Sequence, residues 1–124
     1  MKLLFIGETW SGSSARSLRD AFARSVGVTV DDVGEDHFRP KGRSALIRIT
    51  NRIMKPLYQR ELRREILHRI PMLKPDVVVV YKGNLISEHT VRTIRDYGVP
   101  VVNVFPDYSP HAYGRQLRRA MGAY

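Results

Sequence analysis

Apolar residues fall along this chain in two rhythms. Short solid runs, "KLLFI" (Lys2 to Ile6), "DVVVVY" (Asp76 to Tyr81) and "VPVVNVF" (Val99 to Phe105), read as strands. A strand covered on both faces of a parallel sheet has no polar side, and runs of valine favour extended backbone. "VTVDDV" (Val28 to Val33) alternates instead, which suits a second strand nearer a sheet edge.

Between the strands the spacing lengthens to that of helices. Ala15, Leu18, Phe22 and Val26 make one apolar stripe, with Ser13 or Ser14 as the capping residue and Gly27 as the stop. The polar stretch from Gly34 to Arg43, with Pro40 and Gly42, reads as a loop. A long basic amphipathic segment follows. Ile47, Ile49, Ile53 and Met54 mark its first part, and Pro56 breaks or kinks it. Leu62, Ile66 and Ile70 then carry a helix through "LYQRELRREILHRI", which "PMLKP" ends. Ser87 caps a short helix holding Val91, Ile94 and Tyr97, stopped by Gly98. A last short helix lies between Tyr113 and Tyr124. Strand and helix alternate throughout, so the expectation is an α/β three-layer Rossmann-like domain spanning residues 1–124. Its parallel sheet has about four strands in the order 2-1-3-4, with helices on both faces.

Length and charge sharpen this. A chain of 124 residues suits one domain. No apolar run approaches the roughly 18 residues of a membrane helix, and the opening run is too short for a signal-peptide core. Zero cysteines exclude disulfides and thiolate metal sites and fit a cytoplasmic protein. The net charge is +9 and the pI about 10.4, which favours nucleic acid, anionic lipid or phosphorylated partners. From Arg39 to Arg64 there are nine basic residues against the single acid Glu61. Arg39, Lys41, Arg43, Arg48, Arg52 and Lys55 read either as a solvated face or as a surface for an anionic membrane or a partner. Tyr58 is the only aromatic residue in that stretch, so nucleic acid is a weak reading.

Candidate chemistry sits in the loops that leave the strands, where ligands bind in open α/β sheets. "GETWSGSSA" lacks both the dinucleotide and the P-loop spacing. Gly12, Ser13 and their neighbours can still offer small residues and N–H groups to an anion or a sugar hydroxyl, or simply form a tight turn. "KGNLIS" places Lys82 and Asn84 after the third strand, as ligand contacts or as turn residues. "PDYSPHAYG" follows the fourth strand, with Asp107 as a candidate base, His111 as a proton shuttle and Tyr108 as a stacking or hydroxyl group. His37, His68 and His89 have no partner at metal-ligand spacing, and no metal or cofactor is expected. Trp10, in a loop, either folds back or marks a surface that meets a ligand.

The segments "KLLFIGETW", "KPDVVVVYKGNLIS" and "GVPVVNVFPDYSP" resemble the amino-terminal domain of GT-B-fold glycosyltransferases, in the group similar to the spore-maturation protein CgeB. The resemblance implies two Rossmann-like domains facing across a cleft, with the nucleotide-sugar donor on the second. Here it implies an acceptor-side half whose Gly12, Ser13, Lys82, Asn84, Asp107 and Tyr108 line the cleft, inactive until a donor domain joins it. Its implied partners are that missing donor domain and a sugar acceptor, with an anionic membrane surface and self-association of the lone domain as further expectations. The rival expectation is a stand-alone flavodoxin-like module that binds a small anion, a flavin or a protein partner without catalysis. A receiver-like version fails because Glu8 stands alone after the first strand and the third ends in Tyr81 and Lys82.

Overall fold

The computed structural model describes residues 1–40, 42–106 and 115–124, the last stretch with side chains from Arg118 onward. Asp107, Tyr108, His111 and Lys41 therefore lie outside the described residues. Four parallel strands, β1 (Lys2–Gly7), β2 (Thr29–Gly34), β3 (Val77–Tyr81) and β4 (Val101–Val104), form one sheet ordered β2-β1-β3-β4. This is the expected Rossmann-like order.

The two faces of the sheet follow from strand alternation. Leu4, Ile6, Val78 and Val80 point to one side, where Leu62, Ile66 and Ile70 of α3 (Lys55–Leu73) and Val91 and Ile94 of α4 (Glu88–Asp96) cover them. Helix α5 (Arg115–Met121) packs on α4, and the residues after it carry Ala123 and Tyr124 into this layer. On the opposite side Leu3, Phe5, Val79 and Tyr81 meet α1 (Ser14–Ala23) through Ala15, Leu18 and Phe22. Beyond α1's reach, Val102 on the β4 edge stays exposed.

Several element ends differ from the sequence reading. Helix α1 stops at Ala23, and Val26, expected in its stripe, is fully solvent-exposed. The cause is the pairing of Lys2 with Thr29, which forces the chain to turn early through Gly27 at φ 75. Tyr97 likewise falls beyond α4 and is exposed. The loop expected from Gly34 to Arg43 contains a 3-10 turn at Glu35–Phe38, with Phe38 packed against the core. Helix α2 (Ala45–Ile53) ends where Pro56 was expected to break the segment, because proline in the first turn of α3 lacks only an N–H that would go unpaired there anyway. Pro71 does not end α3. The helix runs on to Leu73 and closes through the N–H of Lys74, a left-handed residue, on the Ile70 carbonyl. So close to the terminus proline removes a single bond, while Ile70 and Leu73 gain burial against the core.

Candidate functional site

The carboxyl ends of β1 and β2 carry the same short pattern. β1 ends Ile6-Gly7 and β2 ends Val33-Gly34, each followed at once by a glutamate, Glu8 and Glu35. The register pairs Ile6 with Val33 and Gly7 with Gly34, so the two carboxylates leave the sheet side by side. Both glycines are needed for close approach rather than for unusual backbone. A Cβ on Gly7 would stand 3.0 Å from the Phe5 ring, and one on Gly34 would stand 2.9 Å from the Thr9 methyl and 3.0 Å from the His37 ring.

The loops after these strands are tied together. Asp36 Oδ1 accepts from the Thr9 N–H (2.9 Å) and from Thr9 Oγ1 (3.0 Å), and His37 Nε2 lies 3.2 Å from the same hydroxyl. Trp10 folds back so that its indole N–H donates to Glu8 Oε2 at 3.1 Å. Of these, Glu8, Trp10 and Asp36 wall a crevice of about 680 Å³ over the carboxyl ends of β1, β2 and β3. Glu8, Trp10, Glu35, Arg39, Arg43 and Asn84 are among its lining residues.

Glu35 is the exceptional group. It is 5% exposed, yet it lines the crevice, and Oε1 accepts from the Leu85 N–H at 3.3 Å. Burial, with the Glu8 charge adding to it, outweighs the Leu85 N–H and Arg39, and pushes its pKa up to about 7. A carboxyl that exchanges its proton near neutrality is matched to general acid–base work.

The loop after β3 is strained where it meets this site. Lys82 (φ 63) and Gly83 (φ 75) are consecutive left-handed residues, and the Gly83 N–H donates to the Tyr81 carbonyl at 2.8 Å in a tight γ-turn. Such a turn costs a non-glycine residue of order 1–3 kcal/mol and persists only where surrounding contacts hold it. Here the Lys82 N–H is held by the Val104 carbonyl at 2.9 Å, and Tyr124 fills the space behind Gly83. The buried Tyr124 hydroxyl has its pKa pushed up to about 12, chiefly by desolvation.

The residues expected from sequence divide at this point. Asn84 lines the crevice. Arg39 and Arg43, read there as part of an outward basic face, line it too. Ser13 is buried as the cap of α1, its hydroxyl accepting from Arg16 N–H (3.1 Å) and donating to the Glu8 carbonyl (3.1 Å). Gly12 occupies the exposed tip of the first loop at φ 91. Lys82 contributes its backbone to the γ-turn, and its side chain is not among those lining the crevice. Glu8, which the sequence reading left alone, has Glu35 for a neighbour. Glu35 itself was missed, although the repeated apolar-Gly-Glu ending of two adjacent strands was the signal that could have found it.

Among the described residues, no three His, Asp or Glu side chains converge to hold a metal, and no helix is long and apolar enough to cross a membrane. Fold and site together define a Rossmann-like α/β domain with a carboxylate-bearing crevice at its sheet's carboxyl edge. No family model, curated protein or solved structure matches the chain.

Proposed function

We propose that this domain is the acceptor-side half of a glycosyltransferase of the GT-B type, and that Glu35 is the base of its acceptor site. The observation that carries this reading is the buried Glu35 carboxyl facing a large crevice beside Glu8, Trp10 and Asn84. Carboxylates and a side-chain amide are partners for sugar hydroxyls, and an indole offers a flat apolar surface to a pyranose ring. In transfer, the acceptor hydroxyl's oxygen bonds to the donor's anomeric carbon as the nucleoside diphosphate leaves with the electrons of the broken bond. The hydroxyl proton passes to ionised Glu35. The donor is held by a second domain, so the lone half binds acceptor without turning it over. The rival reading, an anion- or flavin-binding module, draws less support. The Ser13 hydroxyl is committed to the α1 cap, the Ser14 hydroxyl bonds Tyr81 Oη at 2.7 Å, and Glu8 and Asp36 put negative charge beside the first loop.

Trp10 is the single tryptophan, so its indole N–H gives one assignable NMR signal inside the crevice. Titration with a panel of mono- and disaccharides is expected to move that signal saturably, and Glu35→Gln is expected to weaken the response. A signal that ignores every sugar but moves with inorganic phosphate or flavin mononucleotide would overturn the proposal in favour of the rival.

A further inference from the structure

The crevice leaves α2 unexplained. This helix buries none of its residues. Leu46, Ile49 and Ile53 are 73%, 57% and 70% exposed and stand at i, i+3 and i+7, which makes one apolar stripe facing outward. Leu57, also exposed, continues the apolar surface into the first turn of α3. Arg48 and Arg52, one turn apart, run beside the stripe. Among the described residues no carboxylate forms an ion pair with Arg43, Arg48 or Arg52.

The helix is held from its inner side. Ser44 caps it by accepting from the Ile47 N–H (3.2 Å), Asn51 Nδ2 donates to the Pro40 carbonyl (3.1 Å), and the Ile47 side chain reaches back over Gly42. Fixing Ile47 and Asn51 inward turns Leu46, Ile49 and Ile53 outward. Water is a poor environment for such a stripe, and propensity alone does not stabilise a helix this short.

We infer that α2 and the first turn of α3 form an in-plane docking surface for an anionic lipid bilayer. An aliphatic stripe bordered by arginines meets both layers of a membrane interface. The leucine and isoleucines enter the acyl boundary while the guanidinium groups, on long stems, reach the phosphates. Charge complementarity selects this occupant, since the stretch from Arg39 to Arg64 holds nine basic residues and one acid. Nucleic acid would use the arginines but finds no aromatic platform in the stripe. Asn51 of α2 and Arg43, just before its cap, also line the crevice, so docking sets the crevice's mouth at the level of the lipid headgroups.

Sedimentation of the full chain with lipid vesicles tests this. Vesicles of phosphatidylcholine with one third phosphatidylglycerol are expected to carry the protein down, and phosphatidylcholine alone is not. Replacing Ile49→Ser together with Ile53→Ser is expected to weaken the partition at least about tenfold. Arg48→Gln with Arg52→Gln weakens it by about thirtyfold at low salt, with less difference as salt is added. All four side chains are exposed, so thermal melts of both variants match the parent and exclude misfolding as the cause. Equal sedimentation with both vesicle types, or an isoleucine variant that still binds, would overturn the inference. So would a chain that ignores vesicles and forms a dimer dissolved by the isoleucine changes, which would make a second copy the occupant.

Discussion

The two ends of the sheet are built differently from the same strands. At the amino end the chain termini of the strands are tied to one another. The Met1 ammonium donates to the Gly27 carbonyl, Lys2 N–H donates to Asp76 Oδ2 at 2.6 Å, and Asp76 N–H donates back to the Lys2 carbonyl at 2.8 Å. Gly27 and Gly98 adopt positive φ there, but in open space, where a Cβ would meet nothing within 4 Å. At the carboxyl end the left-handed Gly83 is crowded, a lysine shares its positive φ, and a glutamate is buried with no salt bridge among the described residues. A left-handed lysine occurs at each end, Lys74 (φ 47) closing α3 at the amino end and Lys82 (φ 63) at the other, but the crowded left-handed glycine and the buried carboxyl both lie at the end that faces the crevice. A protein that only had to fold would gain by removing both.

The largest test of that contrast is Glu35→Gln, read as stability against pH. Below about 4.5 the carboxyl is protonated in both the folded and the unfolded chain and has no effect. Between there and its folded pKa of about 7 the unfolded chain ionises first, so stability falls as pH rises, by about 3 kcal/mol in all. Glutamine keeps an acceptor for the Leu85 N–H and has nothing to ionise. Denaturant melts are therefore expected to show the variant more stable than the parent by about 3 kcal/mol at pH 8.5, and equal to it within about 0.5 kcal/mol at pH 4. A parent whose stability is flat between these pH values would erase the difference between the two ends.

A smaller effect separates the glycines. Gly98→Ala is expected to cost about 1 kcal/mol, the strain of a left-handed alanine in open space. Gly83→Ala adds a Cβ at 2.9 Å from Val80 and 3.0 Å from the Tyr124 hydroxyl, and should cost about 2–3 kcal/mol. Equal losses would mean the carboxyl-end turn is no tighter than the amino-end ones. Smallest is Asp76→Asn, where one exposed hydrogen bond is weakened, for a loss of under about 1 kcal/mol at neutral pH.

The fold was legible because burial and spacing agree along most of the chain. The valines of β3 and the Leu62, Ile66, Ile70 series reach the core as expected. Element ends were less legible, since strand register decided them. Val26 fits a helical stripe by spacing, and the pairing of Lys2 with Thr29 excludes it from the helix. At the site, Asn84 and the oddity of Trp10 were visible. Glu35 was not, because burial of a carboxylate depends on a loop fifty residues away, at Leu85, closing over it. The serines of the first loop read two ways, as a helix cap and as ligand contacts, and the cap is what the structure shows for Ser13. Their small polar character suited a ligand, and the structure engages Ser13 in capping and Ser14 with Tyr81.

The most direct test is to titrate Glu35 itself, following its carboxyl carbon by NMR with Glu35→Gln to assign the signal. A midpoint of about 7 is the expected result and would place a proton-exchanging carboxyl in the crevice. A midpoint near the ordinary 4.5 would mean an open, solvated glutamate and a carboxyl edge no more specialised than the amino edge.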